Sequence, residues 1–216
     1  MARNKHPEQT LEQILSVSAK LFTEKSYEKT SIQDIIDALG MSKGAIYHHF
    51  KSKEEILEAV MDQQFSYAAE MLNHLIVNTE APNARLKLIQ ILENVLADPK
   101  AHTLDKVLSH QIKNPQFVLT GMKNGVEKDA PIIAGIMIQG QEDGSITTEF
   151  PYECAEVFML LINIWINPTL FRRNRAETIS RLTFLQQMMR SLGADIITDQ
   201  LLQKVTEHHA SIGGYQ

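Results

Sequence analysis

Cysteine, proline, glycine and long apolar runs are all scarce in this chain of 216 residues. A single cysteine, Cys154, leaves no internal disulfide and suits a reducing compartment. Seven prolines and ten glycines supply too few turns for a β-sandwich or barrel. The longest apolar run, residues 157–166, contains Asn163 and falls well short of the roughly 20 residues that a membrane span needs. The polar start Met1-Ala2-Arg3-Asn4-Lys5 has no apolar stretch behind it, so no signal peptide is expected. The chain therefore reads as a cytoplasmic protein without a membrane partner. Also missing are His-Glu-x-x-His, Gly-x-Ser-x-Gly and the two glycine-rich phosphate loops. Cys154 stands in an apolar run with no base near it in sequence, as an inert core thiol would. No enzyme, cofactor or metal is expected.

Positive charge is in deficit too. The net charge of −5 counts against a nucleic-acid partner. The deficit is uneven, however. Residues 1–53 hold eight Lys/Arg against six Asp/Glu, a net of +2, while the remainder holds 13 against 20, a net of −7. Any positive excess lies in the N-terminal quarter.

What is present is helical periodicity nearly throughout, in a chain that is 44% hydrophobic and able to bury a core. Over 8–25, Leu11, Ile14, Leu15, Leu21 and Phe22 fall on one stripe, with Ser18 and Ala19 as small members. Ile32, Ile35, Ile36 and Leu39 repeat the spacing in a short helix that Gly40 ends. Ser42 then caps a third short helix over 43–50, and Ser52-Lys53-Glu54-Glu55 opens a long one in capping-box form, reaching about residue 76. Further helices are expected at 83–97, 101–113, 115–140, 151–167, 175–192 and 196–208. Pro82, Pro99, Pro115, Pro151 and Pro168 lie near their boundaries, and Pro131 predicts a kink or break near Ala130. Residues 139–145 read as a turn. The fold expected is all-α. The change in helix length near residue 53 divides it into a three-helix domain, 1–53, and a larger helical domain, 54–216, coupled by the fourth helix.

Residues 30–53 hold two short helices joined by a tight Gly40-Met41-Ser42 turn, as a helix-turn-helix requires. Ile46 and Phe50, at i and i+4, anchor the second helix inward. Lys43, Gly44, Ala45, Tyr47 and His49 remain at its start and on its outer side. Gly44 and Ala45 remove bulk where backbone approaches a groove wall, and Lys43 suits guanine acceptors. Tyr47, His48 and His49 reach toward phosphates. Thr30, Ser31, Ser42 and Lys53 stand at helix N-termini, which favour anions. Periodicity alone fits a helical hairpin with an aromatic core as well as it fits a DNA reader. Neighbouring histidines diverge on a helix, which argues against metal at Tyr47-His48-His49.

The denser pattern is Thr30-Ser31…Asp34-Ile35, Leu39-Gly40-Met41-Ser42-Lys43-Gly44, Ile46-Tyr47-His48-His49-Phe50 and Lys51-Ser52-Lys53-Glu54-Glu55-Ile56-Leu57. It resembles the signature of the tetracycline-repressor (TetR) family. With the helix before it, the resemblance covers about the first 60 residues. One departure is Ala45, where the family often has Thr, so one hydroxyl contact is missing. The resemblance implies nine or ten helices and a homodimer on pseudo-palindromic double-stranded operator DNA, usually as a repressor. It further implies a C-terminal domain that takes a small apolar or amphipathic effector.

Residues 152–166 are apolar nearly all round, and 175–192 carry a stripe too wide for one core. The two helices are expected to form a four-helix bundle with a partner, through Phe158, Leu161, Leu182, Leu185 and Met189. An effector pocket should be apolar with a few polar groups. Its candidates are Phe65, Met71, His74, His110, Gln111, Phe117, Met122, Met137, Asn163 and Trp165, each also readable as ordinary core. The Asn163/Asn167 pair around Trp165 stands out most.

Overall fold

The structure is a computed structural model that describes residues 7–105, 107, 109 and 115–215. The described residues contain helices and loops and no strand. In chain order the helices are α1 (Pro7–Lys25), α2 (Ile32–Leu39), α3 (Lys43–His49), α4 (Lys53–Asn78) and α5 (Ala84–Ala97). There follow α6 (Pro115–Asn124), α7 (Ala130–Glu142), α8 (Pro151–Leu160), α9 (Pro168–Phe171), α10 (Arg175–Ser191) and α11 (Asp199–Ser211). Apart from the short α9, these follow the apolar spacing of the sequence. The helix expected at 101–113 lies largely outside the described residues.

The chain forms two compact units. The first runs to Glu70, well into α4, and also takes in Thr103–Val107. It extends past residue 53 because Ile56, Leu57 and Val60, on the first turns of α4, are buried along with Ile14, Phe22, Ile35 and Ile46. Burial of these apolar side chains, rather than intrinsic propensity, holds helices as short as α2 and α3.

The second unit is built around α7, which packs on α5 and α8. Its core joins Leu88 and Ile91 of α5, Ile133 and Met137 of α7, Phe158 of α8, Leu182, Leu185 and Met189 of α10, and Leu201 of α11. Gly140 lets the α7 end fold back closely, since a Cβ there would stand 2.7 Å from Ile146. Asp143 fixes the following turn by accepting from the Ser145 amide at 2.9 Å and from the Ala84 amide at 2.7 Å. The Ser145 side chain first, and these amide bonds after it, hold its carboxyl below the usual range. The turn thus begins later than residue 139, because α7 continues through Glu142.

The break expected near Ala130 is a widened π-turn over Gly125–Asp129, in which the Ala130 N–H donates to Gly125 O five residues back. Pro131 lacks an N–H and its ring crowds the carbonyl four residues behind it, so the wider turn lets the helix pass without a gap. A second π-turn, Leu161–Trp165, ends the helix expected to run to 167. Asn167 then caps α9 by accepting from the Thr169 and Leu170 amides. Arg172 closes α9 in the left-handed region at φ 51°.

Candidate nucleic-acid interface

Two caps and one glycine set the angle between α2 and α3. Ser31 is the N-cap of α2. Its hydroxyl accepts from the Asp34 amide at 3.1 Å and donates to the Asp34 carboxylate, which also accepts from the Ser31 amide at 2.8 Å. Lys25 adds an ion pair to the same carboxylate at 3.1 Å. The Ser31 bonds first, and Lys25 after them, hold Asp34 far below the ordinary carboxylate range. Gly40 ends α2 at φ 63°, a conformation that suits glycine, and donates to Asp37 and Ile36 carbonyls. Ser42 then caps α3 by accepting from the Ala45 amide at 3.3 Å.

Helix α3 divides its side chains by face. Ile46 is wholly buried and Phe50, its C-cap, nearly so. Lys43, Gly44, Tyr47 and His48 are exposed, while Ala45 and His49 are half-buried. The Lys43 ammonium lies 5.5 Å from the centre of the Tyr47 ring, so the two form one amphipathic group on the outer face. A Cβ on Gly44 would meet nothing within 4 Å. The fold therefore does not call for glycine here, and its effect is to open space outside the protein.

Two predicted contacts are corrected. Thr30 is 1% exposed, and its hydroxyl donates to the carbonyls of Ser26 at 2.8 Å and Leu21 at 3.2 Å. It fastens the α1–α2 loop and cannot reach a phosphate. Lys53 is half-buried. Its ammonium donates to Tyr27 O at 2.9 Å and sits 4.2 Å from the Tyr27 ring centre, so it holds the same loop against the start of α4. Nothing in the sequence singles out Tyr27, which has neither helical spacing nor a motif partner. Its ring meets Phe22 edge-on at 5.2 Å, and its hydroxyl donates to Glu54 at 3.1 Å. Burial first, and then Glu54, push the Tyr27 hydroxyl up to about 12. The candidates left at the surface are Ser42, Lys43, Gly44, Ala45, Tyr47, His48 and His49, with Ser31 at the start of α2 and exposed Lys51 beyond α3.

The effector candidates among the described residues do not converge. Met137 is fully buried in core, His74 and Asn163 are exposed, Met71 is half-buried on α4, and Asn167 is used as a cap. Phe65 is exposed on α4, and Trp165 packs edge-on against Phe184 at 5.8 Å. His110, Gln111 and the Phe117 side chain lie outside the described residues. Among the described candidates only Met122 lines the open groove of about 520 Å³ between α6 and α9, with Pro115, Val118, Leu119, Thr169, Leu170 and Arg172. The dimer positions are corrected likewise. Phe158, Leu182, Leu185 and Met189 are buried in the subunit's own core and Leu161 packs against it. The apolar side chains left exposed on those helices are Tyr152, Val157, Ile179 and Phe184.

Comparison with known proteins matches residues 14–60 to the family described as bacterial regulatory proteins of the tetR family. Residues 108–188 match a tetracyclin repressor-like C-terminal domain, and the two stretches together span more than half the chain. The chain belongs to the TetR family. The repressor KstR2 of Rhodococcus jostii (strain RHA1) is 26% identical over 171 residues, covering 77% of this chain and 82% of KstR2. The regulator AcrR of Shigella flexneri is 29% identical over 118 residues, covering 51% of this chain and 54% of AcrR. A transcriptional regulator from Cytophaga hutchinsonii shares the fold, with a TM-score of 0.63 at 17% identity over 96% of each chain. This TetR-family chain is thus a DNA-binding transcriptional regulator and not an enzyme. No helix among its described residues is long and apolar enough to cross a membrane.

Proposed function

We propose that the chain is a repressor that binds a pseudo-palindromic operator as a homodimer and is released by a small apolar or amphipathic molecule. In this reading residues 1–53 read DNA, and 54–216 dimerise and take the effector. The observation that carries it is the exposed Lys43–Tyr47 face of α3, beside a glycine whose missing side chain serves nothing inside the fold. Lys43 supplies a donor for base edges or phosphate, and Tyr47 and the histidines supply shorter polar reach.

Repression follows the sense in which KstR2 is named. Dimerisation is supported by the apolar side chains exposed on α8 and α10, more than a monomer gains by leaving wet. The groove between α6 and α9 has the size of small-molecule sites, on the order of 300–1,000 Å³, and an apolar lining with two polar groups, Thr169 and Arg172. Release requires that the effector bind the DNA-incompetent arrangement more tightly than the competent one.

The test is fluorescence anisotropy with a duplex from the gene's own upstream region, against scrambled duplex, over a salt series. Affinity should fall steeply with salt as phosphate contacts release counterions. Equal affinity for scrambled DNA, or none at low salt from folded dimer, would refute the reading.

A further inference from the structure

Two histidines outside the DNA reader meet within the second unit. His102 follows α5 and His208 stands on α11. More than a hundred residues of chain separate them, so no spacing in the sequence announces the pair. Their rings lie 4.4 Å apart centre to centre, inclined at 49°. A ring nitrogen of one is within 4.8 Å of a ring nitrogen of the other.

Both histidines stand on elements that are already tied together. Helix α5 packs on α11. Glu93, on α5, accepts from the Thr198 hydroxyl at the start of α11 at 3.1 Å and pairs with Lys204 at 3.3 Å. Beyond α5, the Asp98 carboxylate accepts from the Lys100 and Ala101 amides at 2.7 and 3.0 Å, which fixes the turn leading to His102. His102 is fastened once more, with its Nε2 3.1 Å from Val95 O. A carbonyl can only accept, so Nε2 carries the proton and Nδ1 is the acceptor nitrogen. Metal-bound imidazoles are usually held in this way, with one N–H on a carbonyl and the other nitrogen on the ion.

We infer that His102 and His208 bind a divalent transition-metal ion, zinc or a neighbour such as nickel or copper, and so clamp the end of α5 to α11. Imidazole nitrogen suits these ions, whereas magnesium and calcium seek oxygen. Two nitrogens that share a zinc ion stand about 3.3 Å apart, given bonds of about 2.0–2.1 Å. The observed separation needs at most a small rotation of either half-buried ring. Both rings keep some exposure, so water reaches the remaining positions on the ion. Asp105, three residues after His102, adds a carboxylate within a backbone reach of about 10 Å. The plainer account of the pair, two rings in contact and nothing more, requires no affinity for metal. The inference does not rest on how the chain reads its operator or what releases it.

Isothermal titration of the full, tag-free chain with zinc chloride, after chelator treatment and dialysis, tests this. One zinc ion should bind per chain. Zinc should also raise the melting temperature, and a chelator should reverse the rise, because an ion that binds only the folded chain stabilises it. H102Q and H208Q should each weaken zinc at least about tenfold and abolish the thermal shift. H74Q, which removes an exposed histidine of α4, should change neither. Circular dichroism checks that each variant folds, and H102Q carries the test if H208Q does not. Absence of binding, or an affinity that survives H102Q and H208Q, overturns the site. A loss as large in H74Q overturns it as well, since that marks zinc scattered over surface histidines.

Discussion

Replacing Thr30 by valine separates two roles that the sequence leaves open at that position. As a phosphate ligand, Thr30 would contribute to DNA affinity and nothing else. As the structure has it, a hydroxyl at 1% exposure ties the α1–α2 loop to Ser26 O and Leu21 O. Valine keeps the shape and volume and removes the donor. The loss is one buried hydrogen bond shared between two carbonyls, about 1–2 kcal/mol once the stranded acceptors are counted. That is roughly a 5- to 30-fold change in a local opening equilibrium. Native-state hydrogen exchange reads it directly, because amides of α2 exchange through the opening that Thr30 resists. Exchange of the Ile35 and Ile36 amides should accelerate by that factor, and Thr30→Ser should restore most of the protection. Operator affinity should fall no further than the folded fraction does, with an unchanged slope of affinity against salt. Unaltered exchange together with a salt slope shallower by about one would refute the assignment, since that is the mark of a lost phosphate contact.

Other expected outcomes bear on the interface and the scaffold. Lys43→Ala should leave thermal stability unchanged and weaken operator binding by about 1–3 kcal/mol if it contacts a base, or lower the salt slope by about one if it contacts phosphate; anisotropy over a salt series separates these. Tyr27 keeps its proton to about pH 12 in the fold against an ordinary value of 10. Its contribution is therefore full below pH 10 and lost as pH rises to 12, so α1–α2 exchange protection should drop over that window and Tyr27→Phe should flatten the drop. Asp34 shifts the other way: its stabilisation is present above about pH 4 and lost as pH falls below that, and Asp34→Asn should remove this acid sensitivity of α2. Gly193→Ala should destabilise the second unit by more than about 1 kcal/mol in thermal unfolding. The residue sits at φ 80° and a Cβ would stand 2.7 Å from the Thr148 amide nitrogen.

How far the sequence could be read differs between the reading head and the rest. Gly40, Ser31 and Ser42 act locally: each serine accepts from an amide three residues on, and the Gly40 amide donates to carbonyls three and four residues back, so residue type and spacing state the geometry. The faces of α3 were legible for the same reason, because Ile46 and Phe50 at i and i+4 leave Lys43 and Tyr47 outside. Thr30 and Lys53 are not legible in the same way, because each also reaches a carbonyl far back in the chain. Thr30 bonds back nine residues to Leu21, and Lys53 reaches 26 residues back to Tyr27. A hydroxyl or ammonium beside a helix start is chemically fit both to bind an anion and to fasten a loop, and only the distant carbonyl decides between them.

The C-terminal helices show the same ambiguity with apolar side chains. A helix that is apolar on every face must be covered on every face, which gives two kinds of cover, the chain itself and something outside it. Spacing cannot say which position meets which. Leu182, Leu185 and Met189 turn inward to α7 and α8, and Ile179 and Phe184, on the same helix, turn out. Burial in the folded subunit, and not spacing, separates the two kinds of position.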